Sequence, residues 1–182
     1  GPMTERLAIP NLGNYTVALA SAVTSLGIEA WWSTATHARA MELGKAAAPE
    51  SLCLPFKAHL GHFIEADNAG VENALMVNSV GTCRLRYYRS MIEQILRDMG
   101  RPIRIWGLGF DGFKPPLIRH FDPPLIPFLR AVALAIEKIR TIDTLEIHTA
   151  ATRARERQRG DTSALMDACL SELAALETKK DV

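Results

Sequence analysis

Three cysteines are too few, and an odd number, for the disulfide framework of a small secreted protein. Excess charge of one sign is also missing. Lys and Arg number 21 against 20 Asp and Glu, and the net charge of +1 gives no overall field to draw nucleic acid or an anionic membrane. No apolar run approaches the ~18 residues of a membrane helix, and the start lacks the charged-then-apolar order of a signal peptide. The sequence has no CxxC pair, ferredoxin-type cysteine run, Walker loop, internal repeat or low-complexity tract. Gly1-Pro2 ahead of Met3 reads as the remnant of a cleaved tag and is set aside. These absences predict a cytoplasmic protein that engages neither nucleic acid nor membrane.

What is present suits a globular domain: 48% of residues are hydrophobic and 23% charged. Leu7-Ala8-Ile9-Pro10 reads as a first strand, and a helix from Thr16 to Leu26 stops at Gly27. A second strand over 28–32 carries Trp31 and Trp32, of which one ring should face the core. Ser33 or Thr34 is placed to cap a helix over 35–46. Pro55 suits the first turn of a helix over 55–68, and 71–77 gives a third strand. From Cys83, the apolar residues Leu85, Tyr88, Ile92, Ile95 and Met99 recur at helical spacing up to Gly100. A fourth strand, 103–106, ends at Gly107 and Gly109.

Strands alternating with helices predict an α/β fold: a short, Rossmann-like parallel sheet flanked by helices. Residues 3–112 form this cysteine-bearing domain. Residues 113–182 form a loop-rich segment and a helical C-terminal extension packed on it. The extension comprises a long helix over 124–157 with a break near 140–143, then an amphipathic helix over 163–177 through Leu165, Cys169, Leu173 and Leu176.

Cys53 and Cys83 each sit where a strand end or loop runs into a helix. A helix N-terminus offers free N–H groups and partial positive charge, which stabilise a thiolate. Lys57 follows Cys53, and Arg84, Arg86 and Arg89 follow Cys83; such cations lower a thiol pKa and offset the charge of a thiolate-bound cluster. Ligands in a parallel sheet bind beyond the carboxyl ends of the strands, where Cys83 falls and which Cys53 can reach. The residues alone leave open a soft metal centre and a pair of small buried hydrophobes. Cys169 reads as core. His59 and His62, three apart, share a helix face, and Glu50 is either a helix cap or an acid–base group near Cys53. Gly107-Leu108-Gly109-Phe110-Asp111-Gly112 follows a strand and has G-x-G-x-x-G spacing, which invites a phosphate-loop reading, but it does not match a Walker sequence. The four arginines between Arg153 and Arg159 read as a solvated helix face.

Read in order, three segments resemble the 2-hydroxyacyl-CoA dehydratase superfamily, and most closely the cysteine-bearing domain attached to the ATP-dependent activases of those dehydratases. Pro49-Glu50-Ser51-Leu52-Cys53-Leu54-Pro55-Phe56-Lys57 with Gly61-His62 is similar to the signature P-S-E-x-C-x-P-x-K…G-H. Gly81-Thr82-Cys83-Arg84-Leu85-Arg86-Tyr87-Tyr88 resembles G-P-C-R-x-G-x-Y. The run from Arg153 to Thr162 resembles R-P-Y-E-x-x-x-G-E-T. Here Glu50-Ser51 inverts the usual order, Thr82 replaces the proline before the second cysteine, and Leu85-Arg86 lacks the following glycine.

The resemblance implies an iron–sulfur protein of anaerobic metabolism. Cys53 and Cys83 would ligate a 4Fe-4S cluster, with Lys57, His62 and Arg84 around it. The function would be low-potential electron transfer or reductive activation, with an activase or dehydratase as partner. A cubane takes four ligands, so two thiols per chain predict a homodimer sharing one cluster. The rival expectation is a cluster-free binding or assembly module for an acyl-CoA or a protein partner. A third is a thiol enzyme with Cys53 as nucleophile and His59 or His62 as base.

Overall fold

The computed structural model describes residues 5–32, 37–77, 84–108, 120–178 and 180–182, without the side chains of His37, Arg84 and Leu108. The chain divides into two compact units, residues 1–11 with 28–123 and residues 12–27 with 124–182. The helix expected after the first strand therefore groups with the C-terminal helices rather than with the sheet.

The first unit is α/β. Strands β1 (Arg6–Ala8), β2 (Glu29–Trp31), β3 (Asn73–Val77) and β4 (Arg104–Leu108) form a wholly parallel sheet in the order β2-β1-β3-β4. Register places Leu7 against both Ala30 and Asn73, and Leu75 against Trp106. One face, from Ala8, Ala74, Met76, Ile103 and Ile105, packs on α3 (Leu54–Asn68) and α4 (Tyr88–Asp98). Their contributions recur every three or four residues: Phe56, Leu60, Phe63 and Ile64 from α3, and Tyr88, Ile92 and Leu96 from α4. A 3₁₀ turn over Arg84–Tyr87 leads into α4, so the helix proper begins later than the spacing from Cys83 predicts. Trp31 packs against this core, whereas Trp32 is 44% exposed.

Helix α2 (His37–Ala47) lies across the other side of α3. The two backbones touch. A Cβ on Gly61 would fall within the Ala40 carbonyl, and one on Gly44 within the Lys57 carbonyl. Only glycine permits this approach, which leaves α3 covered on most of its circumference and explains why Lys57, His59 and His62 are buried along with the apolar residues. Ser33 and Thr34, the expected caps of α2, lie outside the described residues.

On the opposite face of the sheet, Asn73 accepts from the Trp106 indole N–H at 2.9 Å and donates to Glu5 at 3.2 Å. His120 stacks on Trp106 with ring centroids 4.5 Å apart and lies 2.9 Å from the same Glu5 carboxylate.

The second unit is helical, with α1 (Thr16–Ser25), α5 (Leu125–Arg153) and α6 (Asp161–Ala175). The break expected near 140–143 is absent: α5 runs through, and Ile142 within it is fully buried against Ala18 and Leu173. Lys138 is also fully buried, donating to the Ser21 hydroxyl at 2.8 Å and to the Ala174 carbonyl at 3.4 Å. The arginine run is not a helix face, because α5 ends at Arg153. Glu156 accepts from the backbone N–H groups of Gly160 and Thr162, ties down the turn and caps α6; hydrogen bonds from the Thr162 side chain first, then from these backbone groups, hold its carboxyl below the usual range. Gly160 takes φ 106° at that cap. Leu165 is exposed rather than core, and Cys169 is half-buried near Met166.

Candidate functional site

Residue Cys53 is the N-cap of α3, in extended conformation with φ −67° and ψ 155°. Pro55 occupies the first turn, where its missing N–H costs nothing, and the Cys53 carbonyl accepts the first helical bond from Lys57 N at 3.2 Å. No side chain caps the helix, so Glu50 does not act as its cap; that residue is exposed. Its carbonyl instead receives the Lys57 ammonium at 3.1 Å. Lys57, nine-tenths buried, thus pins the turn that presents Cys53.

The helix runs antiparallel to the strand that follows it, which puts its N-terminus beyond the carboxyl ends of the strands. The chain leaving β3 returns there as the 3₁₀ turn and α4. Tyr88, the first residue of α4, places its hydroxyl 2.7 Å from the Cys53 sulfur. Its ring meets Phe56 edge-on at 5.2 Å and lies 6.3 Å from the His59 ring. Tyr88 therefore joins the thiol, the apolar core and an imidazole. The sequence places it on the apolar stripe of the helix and at the final tyrosine of the segment that resembles G-P-C-R-x-G-x-Y. Its place at the first turn of the helix after Cys83, with a hydroxyl at its tip, was the available signal.

The histidines are internal. His59 is 9% exposed and its Nδ1 has no hydrogen-bond partner. Burial, with a smaller contribution from His62, lowers its pKa from 6.5 to about 4. His62 is 4% exposed, with Nδ1 3.4 Å from the Glu65 carboxylate one turn on. His62 and Lys57 are thus on the helix that begins at Cys53. Arg89 donates to the Ile105 carbonyl at 3.1 Å and pairs with Glu93 at 3.5 Å. Arg86 is exposed beside the Tyr87 ring. Cys83 itself, Gly81 and Thr82, and Gly109 to Gly112, lie outside the described residues, as does the side chain of Arg84.

The half-buried thiol sits at a helix N-terminus, whose partial positive charge favours an anion, with the Tyr88 hydroxyl against its sulfur as donor or acceptor. As a ligand donor set it is incomplete. Among the described residues no three His, Cys, Asp or Glu side chains converge as a metal site. Cys53 fits as one thiolate ligand, and further ligands must come from outside the described residues or from another chain. Of the two histidines, burial lowers the basicity of His59, which disfavours it as the base for a thiol.

Among the described residues no helix is long and apolar enough to cross a membrane. No family model, no curated protein and no solved structure matches the chain.

Proposed function

We propose that the chain holds an iron–sulfur cluster through the thiolates of Cys53 and Cys83 and serves low-potential electron transfer or reductive activation. The observation that carries this reading is the 2.7 Å contact between the Cys53 sulfur and the Tyr88 hydroxyl. It joins the start of α3 to the start of α4 at the carboxyl edge of the sheet, and Cys83 is the residue just before the turn that delivers Tyr88. Cys83 precedes that turn in sequence, which supports a site drawing on both cysteines.

When bound, such a cluster accepts and releases single electrons at a potential set by its hydrogen bonds and burial. The chain's own residues supply the setting. The α3 N-terminus opposes the negative charge of the thiolate, and the Tyr88 hydroxyl donates to its sulfur. Lys57 holds the preceding turn, and Phe56 and Tyr88 keep water from one side. Two thiols per chain, doubled by a two-fold axis, make the four ligands of a cubane, which motivates a homodimer around one shared cluster.

The test is purification without oxygen, followed by reconstitution with iron and sulfide. The wild-type chain should be brown with a broad visible band, and Cys53→Ser and Cys83→Ser should each abolish it. A band that survives either substitution would assign the ligands elsewhere.

A further inference from the structure

A second site lies along the free edge of β4. Arg89, Arg97, Arg101 and Arg104 line a cleft of about 410 Å³ between α4 and the strand, closed by Pro102, Ile103 and Trp106. Among the described residues Glu93 is the only acidic one lining it. We infer that this cleft binds a small polyanion carrying several phosphate groups.

Edge strands commonly carry a charged residue to discourage pairing with another chain. Here, however, Arg104 alone belongs to the strand. Arg89 and Arg97 come from α4, and Arg101 from the turn between the two, so three separate segments converge. Two guanidinium groups are braced. Arg89 uses Nε for both the Ile105 carbonyl and Glu93. Arg101 uses one terminal nitrogen for Asp67 and Asn68. A guanidinium has five N–H donors, so each braced group keeps others uncommitted while its position is fixed. The remaining pair has no carboxylate partner among the described residues. Arg97 reaches only Gln94, at 3.5 Å, and Arg104 rests 5.3 Å from the centre of the Trp106 ring.

The spacing selects the ligand class. Arg89 and Arg97 are eight residues apart, or about 12 Å along the helix axis. A single phosphate fills little of that span, whereas a chain of phosphates can engage guanidinium groups along it. The volume is within the range of small-molecule sites. Trp106, held between Arg104 and His120, is a wall rather than a stacking platform for a base. None of this involves Cys53, so the inference stands apart from the cluster reading.

The experiment is calorimetric titration of the full chain, at low salt, with inorganic triphosphate and with orthophosphate. Triphosphate should bind saturably and at least tenfold more tightly than orthophosphate. The exposed double variant R97A/R104A should lose at least tenfold in triphosphate affinity with an unchanged circular dichroism spectrum. A paired variant, R155A/R157A, changes arginines outside the cleft and should bind as the wild type does. Equal affinity for the two anions would overturn the inference, as would triphosphate binding that is absent, survives R97A/R104A, or is lost in R155A/R157A.

Discussion

The Tyr88 hydroxyl sits 2.7 Å from the Cys53 sulfur, so the first residue of α4 touches the residue that caps α3. One donor thereby ties the two helix starts at the carboxyl edge of the sheet. Tyr88→Phe keeps the edge-on packing with Phe56 and removes only the hydroxyl. The variant should lose about 1 kcal/mol of stability, the usual net worth of such a bond. Without the donor the thiolate is less favoured, so iodoacetamide should alkylate Cys53 several-fold more slowly at pH 7. Peptide mapping of timed alkylation reads this directly.

The close approach of α2 and α3 reverses an ordinary substitution effect. Gly→Ala inside an exposed helix typically stabilises by roughly 0.5–1 kcal/mol. At Gly44 and Gly61 the new methyl group would meet a backbone carbonyl of the facing helix. Gly61→Ala and Gly44→Ala should each destabilise by about 1–3 kcal/mol or more, measured by urea denaturation. A neutral or stabilising result would mean that the helices do not touch as described.

Burial of His59 makes stability depend on acid. Its folded pKa, about 4, lies below the unfolded 6.5, so between these values the unfolded chain binds the extra proton. Stability is therefore full above pH 6.5 and falls as pH drops toward 4. The loss amounts to roughly 3 kcal/mol. His59→Leu should flatten that part of a urea-midpoint-against-pH profile. An unchanged slope would show that other groups carry the acid sensitivity.

Lys138 supplies the opposite case in the helical unit. It is wholly buried, its ammonium meets only a hydroxyl and a carbonyl, and burial lowers its pKa. A lysine whose folded pKa lies below its unfolded one opposes folding at neutral pH, an effect that fades as pH rises toward 10.5. Lys138→Met should raise the urea midpoint at pH 7, with the gap narrowing in alkali. A Met variant less stable at pH 7 would show that the two hydrogen bonds outweigh the cost of burying the charge.

Much of the sheet was legible because each strand and helix carries local punctuation. Gly27 and Gly100 take φ of 79° and 71° where the first helix and α4 end, and alternation of short apolar runs with helical periodicity predicted a parallel sheet, though not its strand order. The failures have a common origin in long-range packing. Nothing local says that α1 groups with helices more than a hundred residues later, or that Ile142 and Lys138 are buried where a break was expected. The arginines after Arg153 read as a helix face because their link to α6 runs through Glu156, whose bonds to Gly160 and Thr162 the pattern does not announce. At the candidate site, Cys53 was legible from Pro55 and the helix start. Tyr88 was legible as a stripe position and as the last residue of the Gly81–Tyr88 motif, but neither says whether its hydroxyl faces water or a thiol. Gly61, part of the cysteine-bearing motif, has a packing role against Ala40 that needs no cluster to explain it.

The most direct measurement is iron and acid-labile sulfide per chain, with molecular mass, on protein purified and reconstituted without oxygen. The account predicts about two irons and two sulfides per chain in a dimer, with a cubane rather than a two-iron spectrum. Absence of iron and sulfide after reconstitution would contradict it.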